Sequence, residues 1–300
     1  FRSVDVSTIY EVPLKMQEQN MDEIVLRKLG MPIGEKPEMQ PWRDFLSKKK
    51  HAKSTIKIGL VGKYVELPDA YKSINESLLQ AATYNEHKLD LHFILSDKLT
   101  EENIEKTLSS MDGILIAPGF GQRGMEGKIH ALKYAREHDV PTFGVCLGMQ
   151  CMVVEFARNV LGLEEANSTE MNNHTPFKVI DLMEEQKNIT NMGGTMRLGA
   201  YKCELEKGSL VYKAYGKKMI EERHRHRFEF NNDFREDFEK NGMKCTGINP
   251  EMDLVEVVEV PGKKWYLGVQ FHPEYNSTVV SPNPLFLSFI KAVVDNKEKK

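Results

Sequence analysis

The chain has 300 residues, 40% of them hydrophobic, enough for a substantial core in one large domain or two modest ones. A formal net charge of −3 excludes broad polyanion binding as the main activity, and no stretch approaches the ~18 to 20 uninterrupted apolar residues of a spanning helix, so neither nucleic acid nor membrane is expected as a partner. Cys146, Cys151, Cys203 and Cys245 form no C-x-x-C pair and no zinc-finger spacing, which predicts a reducing cytoplasm and no metal site.

The chain starts at Phe1 rather than methionine, and residues 1–5 lack the apolar region of a signal peptide; a portion of a longer protein is expected. Residues 1–54 read as a linker with local helices. A short helix over 21–29 ends at Gly30, a turn-rich stretch with three prolines follows, and a basic helix is predicted over 42–50. From Ile56 onward, strand-like and helix-like runs alternate. Apolar runs at 56–61, 89–95, 113–116 and 141–145 are separated by helical patterns at 70–84, 101–108 and 128–138. Such alternation implies an α/β fold, with an open, mostly parallel sheet covered by helices on both faces. After about Phe177 the strands look antiparallel, ending in runs at 254–260 and 264–271 joined by Pro261-Gly262, and a last helix is expected over 284–296.

Two local constellations carry chemistry. In Gly144-Val145-Cys146-Leu147-Gly148 a thiol sits where a strand gives way to a helix. A nucleophile on so sharp a turn needs neighbours without a β-carbon, and the helix start favours thiolate over thiol. In Gln270-Phe271-His272-Pro273-Glu274 the imidazole and the carboxylate are two residues apart, so in extended backbone both point to one side. Cys146, His272 and Glu274 would then be nucleophile, general base and acid, and orienting group. Separately, a buried thiol of no chemical function and a strand-end histidine would be ordinary.

Three other stretches compete for attention. Gly119-Phe120-Gly121-Gln122-Arg123-Gly124 matches the dinucleotide fingerprint, but it follows the third apolar run and no acidic residue closes a strand ~20 residues later. Gly124-Met125-Glu126-Gly127-Lys128 is not a P-loop, since Ile129 replaces its Ser or Thr. The run Arg223-His224-Arg225-His226-Arg227, if extended, puts three arginines on one face and two histidines on the other, a ridge rather than a patch.

The Gly144–Gln150 stretch together with Gln270-Phe271-His272-Pro273-Glu274 resembles the class I, triad-type glutamine amidotransferases, whose domains are flavodoxin-like with a small antiparallel extension. Asn167-Ser168-Thr169-Glu170, Met192-Gly193-Gly194-Thr195-Met196-Arg197-Leu198-Gly199 and Glu222–Glu229 are similar to the branch whose glutaminase domain serves a CTP-forming synthetase domain. The resemblance covers about 56–292. It implies that residues 1–54 are the tail of the synthetase domain plus linker and that 55–300 form the glutaminase domain. It also implies hydrolysis of L-glutamine to glutamate and ammonia at Cys146, with the ammonia used elsewhere to aminate UTP. No cofactor is expected in this portion; ATP and magnesium would belong to the synthetase domain, GTP would be an activator, and the full-length enzyme would be a homo-oligomer. Oxyanion and glutamine-binding positions implied are Gly119, Leu147, Gly148, Met149, Gln150, Glu170 and Arg227. One departure stands out: the family's P-G-G-F-G loop reads Ala117-Pro118-Gly119-Phe120-Gly121 here. Pro118 has no N–H, so the substitution is harmless only if the loop's donor is Gly119 and not the residue before it. Delivery of ammonia to a different acceptor, or a non-catalytic module of the same fold, are the alternatives.

Overall fold

The alternation of strand-like and helix-like runs from Ile56 shows directly in a computed structural model, which describes residue 2 and residues 4–67, 69–182 and 196–299. Met192-Gly193-Gly194-Thr195 of the quoted motif lies outside the described residues. In chain order the elements are α1 (Val12–Glu18), α2 (Met21–Lys28), α3 (Gln40–Lys50), β1 (Ser54–Gly62), α4 (Lys72–Tyr84), β2 (His87–Leu95), α5 (Ile104–Leu108), β3 (Gly113–Ile116), α6 (Met125–Glu137), β4 (Thr142–Val145) and α7 (Leu147–Asn159). There follow β5 (Asn167–Ser168), β6 (Lys178–Leu182), β7 (Arg197–Leu205), α8 (Leu210–Tyr215), β8 (Met219–His226), β9 (Phe228–Phe230), α9 (Arg235–Lys240), β10 (Lys244–Asn249), β11 (Leu254–Glu259), β12 (Tyr266–Val269) and α10 (Pro284–Lys297).

One sheet runs in the order β2-β1-β3-β4-β12-β11-β10-β7-β8. Its first five strands are mutually parallel. From β12 onward the pairings are antiparallel. Strands β3, β4 and β12 are buried at every position, as expected for parallel strands covered on both faces. Alternation along each strand divides the apolar side chains between two cores. Ile114 and Ile116 of β3 pack with α5, α6 and α7, whereas Leu115 packs with Phe143, Val145 and the inward faces of α4 and α10. The predicted α/β fold with helices on both faces is therefore present. The extension, however, is larger than expected: its strands continue the main sheet, and β5, β6 and β9 form a second, three-stranded sheet. β12 is the joint, parallel to β4 on one side and antiparallel to β11 on the other, which a hairpin signal alone cannot reveal.

Before β1 the helices α1, α2 and α3 alternate with irregular chain, residues 31–39 among it, and Phe45 of α3 is fully buried with Tyr10 against Val279. The Trp42 indole N–H donates to the Tyr10 carbonyl at 2.5 Å.

The extension carries a buried charge network. Arg197 donates to Glu229 at 3.1 Å and to Glu256 at 2.8 Å, all three side chains being almost fully enclosed. Burial pushes both carboxyls up, Glu256 to about 7, and the guanidinium opposes it. His224 and His226, 2.8 Å apart on the inward face of β8, are pushed down by burial and then by their cationic and imidazole neighbours, His224 to about 2. Arg197→Met should therefore destabilise by about 3–5 kcal/mol, because two carboxylates lose their counter-charge. A carboxyl with a raised folded-state pKa stabilises the fold below its unfolded pKa and loses that contribution as pH rises through the folded value. The loss in urea midpoint should accordingly be larger at pH 8 than at pH 5.5; equal losses at both would remove this electrostatic account.

Candidate active site

Parallel topology does the assembling. β3, β4 and β12 are adjacent, and their carboxyl ends lead into Gly119, Cys146 and His272 respectively, with Val145 paired to Val269 and Gly144 to Ile116. Cys146 caps α7 with φ 53° and ψ −106°, a left-handed conformation that side chains other than glycine rarely adopt. Its N–H is spent on the Val269 carbonyl at 2.7 Å, which pins the turn to β12. A β-carbon at Gly144 would stand 2.7 Å from the Met152 sulfur, and one at Gly148 would collide with the Ile116 carbonyl. Both glycines of the motif are thus required by close approach. Leu147, Gly148 and Met149 form the buried first turn of α7, where helix geometry leaves N–H groups without an intrahelical acceptor.

His272 Nδ1 is 2.7 Å from Glu274 Oε1, both groups buried. The spacing works as expected, although the segment from Pro273 is a short 3₁₀ turn rather than a strand. The Tyr275 ring stacks on the imidazole at 5.3 Å. Nε2 of His272 is buried with no hydrogen-bond partner among the described residues, and the Cys146 sulfur is near enough to act on the ring. Burial opposes the imidazolium, but the Cys146 sulfur and the Glu274 carboxylate outweigh it and hold the ring at about 11.

Gly119, Cys146, Gln150, Glu170 and Arg227 line one small, partly open space of ≈ 30 Å³ with Phe120, Met196, His226 and Phe228. Glu170 Oε1 accepts the Gly121 N–H at 2.7 Å; burial raises this carboxyl, opposed by that bond and by Lys63 and Arg227. The expected ridge of three arginines is corrected here. Arg223 and Arg225 point outward from β8, but the strand ends at His226, and Arg227 bends into the cavity between β8 and β9.

Gln270 and Glu222 had no assigned role. Gln150 donates to the Phe228 carbonyl at 3.0 Å and to Gln270 Oε1 at 3.1 Å, and Gln270 in turn reaches the Cys146 sulfur at 3.7 Å. Gln270 lies inside a quoted motif, yet only packing reveals this relay. Glu222 accepts from Tyr215 at 2.6 Å, Asn276 at 2.5 Å and Asn283 at 3.1 Å, tying the turn after His272 to α8 and α10. His224, His226 and Glu256 gather donor atoms of metal-binding type among the described residues, but Arg197 already engages Glu256.

A thiol on a positive-φ turn at a helix start beside an imidazole–carboxylate pair is the arrangement of a cysteine nucleophile with its acid–base partner, and the family comparison supplies the class. The glutamine amidotransferase class-I family matches residues 66–292, and the chain belongs to it. Relatives include the CTP synthase of Bacteroides fragilis, 63% identical over 294 residues, with 98% of this chain and 55% of that protein covered. The CTP synthase of Porphyromonas gingivalis is 63% identical over 298 residues, covering 99% and 55%. A solved structure of the Trypanosoma brucei CTPS glutaminase domain with bound acivicin is 37% identical with a TM-score of 0.76, covering 80% of this chain and 94% of that one. Within the family, the branch is that of the CTP synthase glutaminase domains. The chain spans about half the length of the curated relatives it matches, 55% in both cases.

Proposed function

We propose that the chain hydrolyses L-glutamine to glutamate and ammonia and that a synthetase domain uses the ammonia to convert UTP to CTP. The observation that carries this reading is the Cys146 sulfur, held on a left-handed turn at a helix start, facing an imidazole fixed by Glu274. Cys146 attacks the side-chain amide carbon, and the electron pair of the C=O bond moves to oxygen, to which the N–H groups of Leu147 and Gly119 donate hydrogen bonds. The tetrahedral intermediate collapses as His272 gives its proton to the departing nitrogen. A glutamyl thioester and ammonia remain. Once the sulfur is acylated its charge no longer supports the imidazolium, so His272 becomes the base that activates water. Gly148 and Met149 shape the first turn under the substrate, Gln150 closes its side, Arg227 receives the α-carboxylate and Glu170 the α-ammonium.

Residues 1–54 are assigned to the synthetase tail and linker, and 55–300 to the glutaminase domain. ATP and magnesium are assigned to the synthetase domain, GTP to activation, and the whole enzyme to a cytoplasmic homo-oligomer. Among the described residues no helix is long and apolar enough to cross a membrane. The test is intact-mass and peptide mass spectrometry after acivicin treatment. One adduct, on the peptide containing Cys146, is expected; labelling elsewhere would overturn the assignment. Arg227→Ala should raise KM for glutamine ~10- to 100-fold with little change in kcat, since a charge-assisted bidentate contact is lost. Unchanged KM would remove its role.

A further inference from the structure

Lys128 is fully enclosed in the first turn of α6, where a cation opposes the helix dipole. Its Nζ donates to the Ala117 carbonyl at 2.6 Å, and no carboxylate pairs with it among the described residues. Asp97, the acid whose field reaches it, is engaged by Arg123 at 2.5 Å. Burial pushes the amine down to about 8; Cys151, Cys146 and Asp97 raise it and Lys63 lowers it further. By the general cost of an uncompensated buried charge, an apolar side chain of this length would serve packing better.

Placement gives the amine a task. Ala117 directly follows β3, and the next two residues are Pro118, which has no N–H, and Gly119 in the cavity wall beside Leu147 and Lys63. Orienting the Gly119 N–H therefore depends on how the backbone leaves Ala117. Gly127 fixes the aim of Lys128 from the other side: a β-carbon there would collide with the Ser96 carbonyl, so the first turn of α6 cannot back away. Lys63 braces the far end of the same loop through the Gly121 carbonyl at 3.2 Å.

We propose that Lys128 is a positioning residue of the oxyanion loop, holding the Ala117 carbonyl so that the Gly119 N–H faces the oxygen that becomes negative when Cys146 attacks. This rests on the glutamine-hydrolysis reading. It separates two reactions of the same sulfur. Attack on glutamine creates an oxyanion, whereas displacement of iodide from iodoacetamide forms a C–S bond, releases iodide and creates no oxyanion.

The experiment measures glutamate release and iodoacetamide alkylation of Cys146 for the wild-type chain, Lys128→Met and Lys128→Gln. Lys128→Met should lower kcat for hydrolysis ~10- to 100-fold, less than or comparable to loss of one oxyanion donor, with KM and the alkylation rate within ~3-fold of wild type. Its melting temperature should be unchanged or higher. Lys128→Gln keeps an N–H donor and should hydrolyse faster than the Met variant; should the Met variant not fold, the Gln variant is compared with wild type for the same split. Wild-type hydrolysis rates in the variants, or equal losses of hydrolysis and alkylation, would overturn the proposal. Absence of glutamate release by the wild-type chain would instead overturn the hydrolysis reading itself, and this proposal with it.

Discussion

Cys146→Ser is expected to abolish glutamate release, by a factor on the order of 10³ or more, and to eliminate labelling by acivicin. The two measurements together distinguish a nucleophile from a residue that merely shapes the pocket. A hydroxyl in the same place keeps the size and the left-handed turn, so glutamine binding should survive while thioester formation stops. The other thiols offer no substitute. Burial pushes Cys151 up to about 11, Cys245 up to about 12 and Cys203 higher still. Each sits in a core with little path for a substrate. If the serine variant still labels with one equivalent of reagent, one of these three carries the reactivity and the proposed chemistry fails.

His272→Ala should lower kcat ~10²- to 10⁴-fold, the range for loss of a positioned acid–base group. The effect should fall on both half-reactions, because the ring gives a proton to ammonia in the first and takes one from water in the second. The imidazolium is held at about 11 by Cys146 and Glu274 against burial. A raised imidazole pKa means that the charged form persists well above the ordinary histidine range and is lost only as pH rises through the folded value. Alkylation of wild-type Cys146 should thus show no inflection near the ordinary histidine value of ~6.5. Glu274→Gln should bring an inflection toward that range. An ordinary histidine inflection in the wild-type profile would sink the account of how the pair is charged.

Both constellations were legible because each is local. Gly144-x-Cys146-x-Gly148 encodes a turn whose steric demand lies within five residues, and His272 and Glu274 meet through neighbouring backbone. The alternation of runs from Ile56 likewise reports burial on two sides, hence parallel strands. For Arg227 the resemblance points to the site while the extended-ridge pattern does not: the period of 2 continues through Arg223 and Arg225 but says nothing of where β8 ends. The extent of the antiparallel half was underestimated for a similar reason, since sheet membership depends on which edges meet.

What the amino-acid order by itself determined is the chemistry available: one thiol on a strained elbow, one histidine with its carboxylate, and the alternation that puts them at strand ends. Tertiary structure alone decided that β4 and β12 are neighbours, that Gln270 reaches the Cys146 sulfur, and that a lysine in α6 holds the Ala117 carbonyl. Backbone preferences and side-chain periodicity act over a few residues. Hydrogen bonds between groups more than 100 positions apart, such as Gln270 with Cys146, form only after packing has removed water and set the distances.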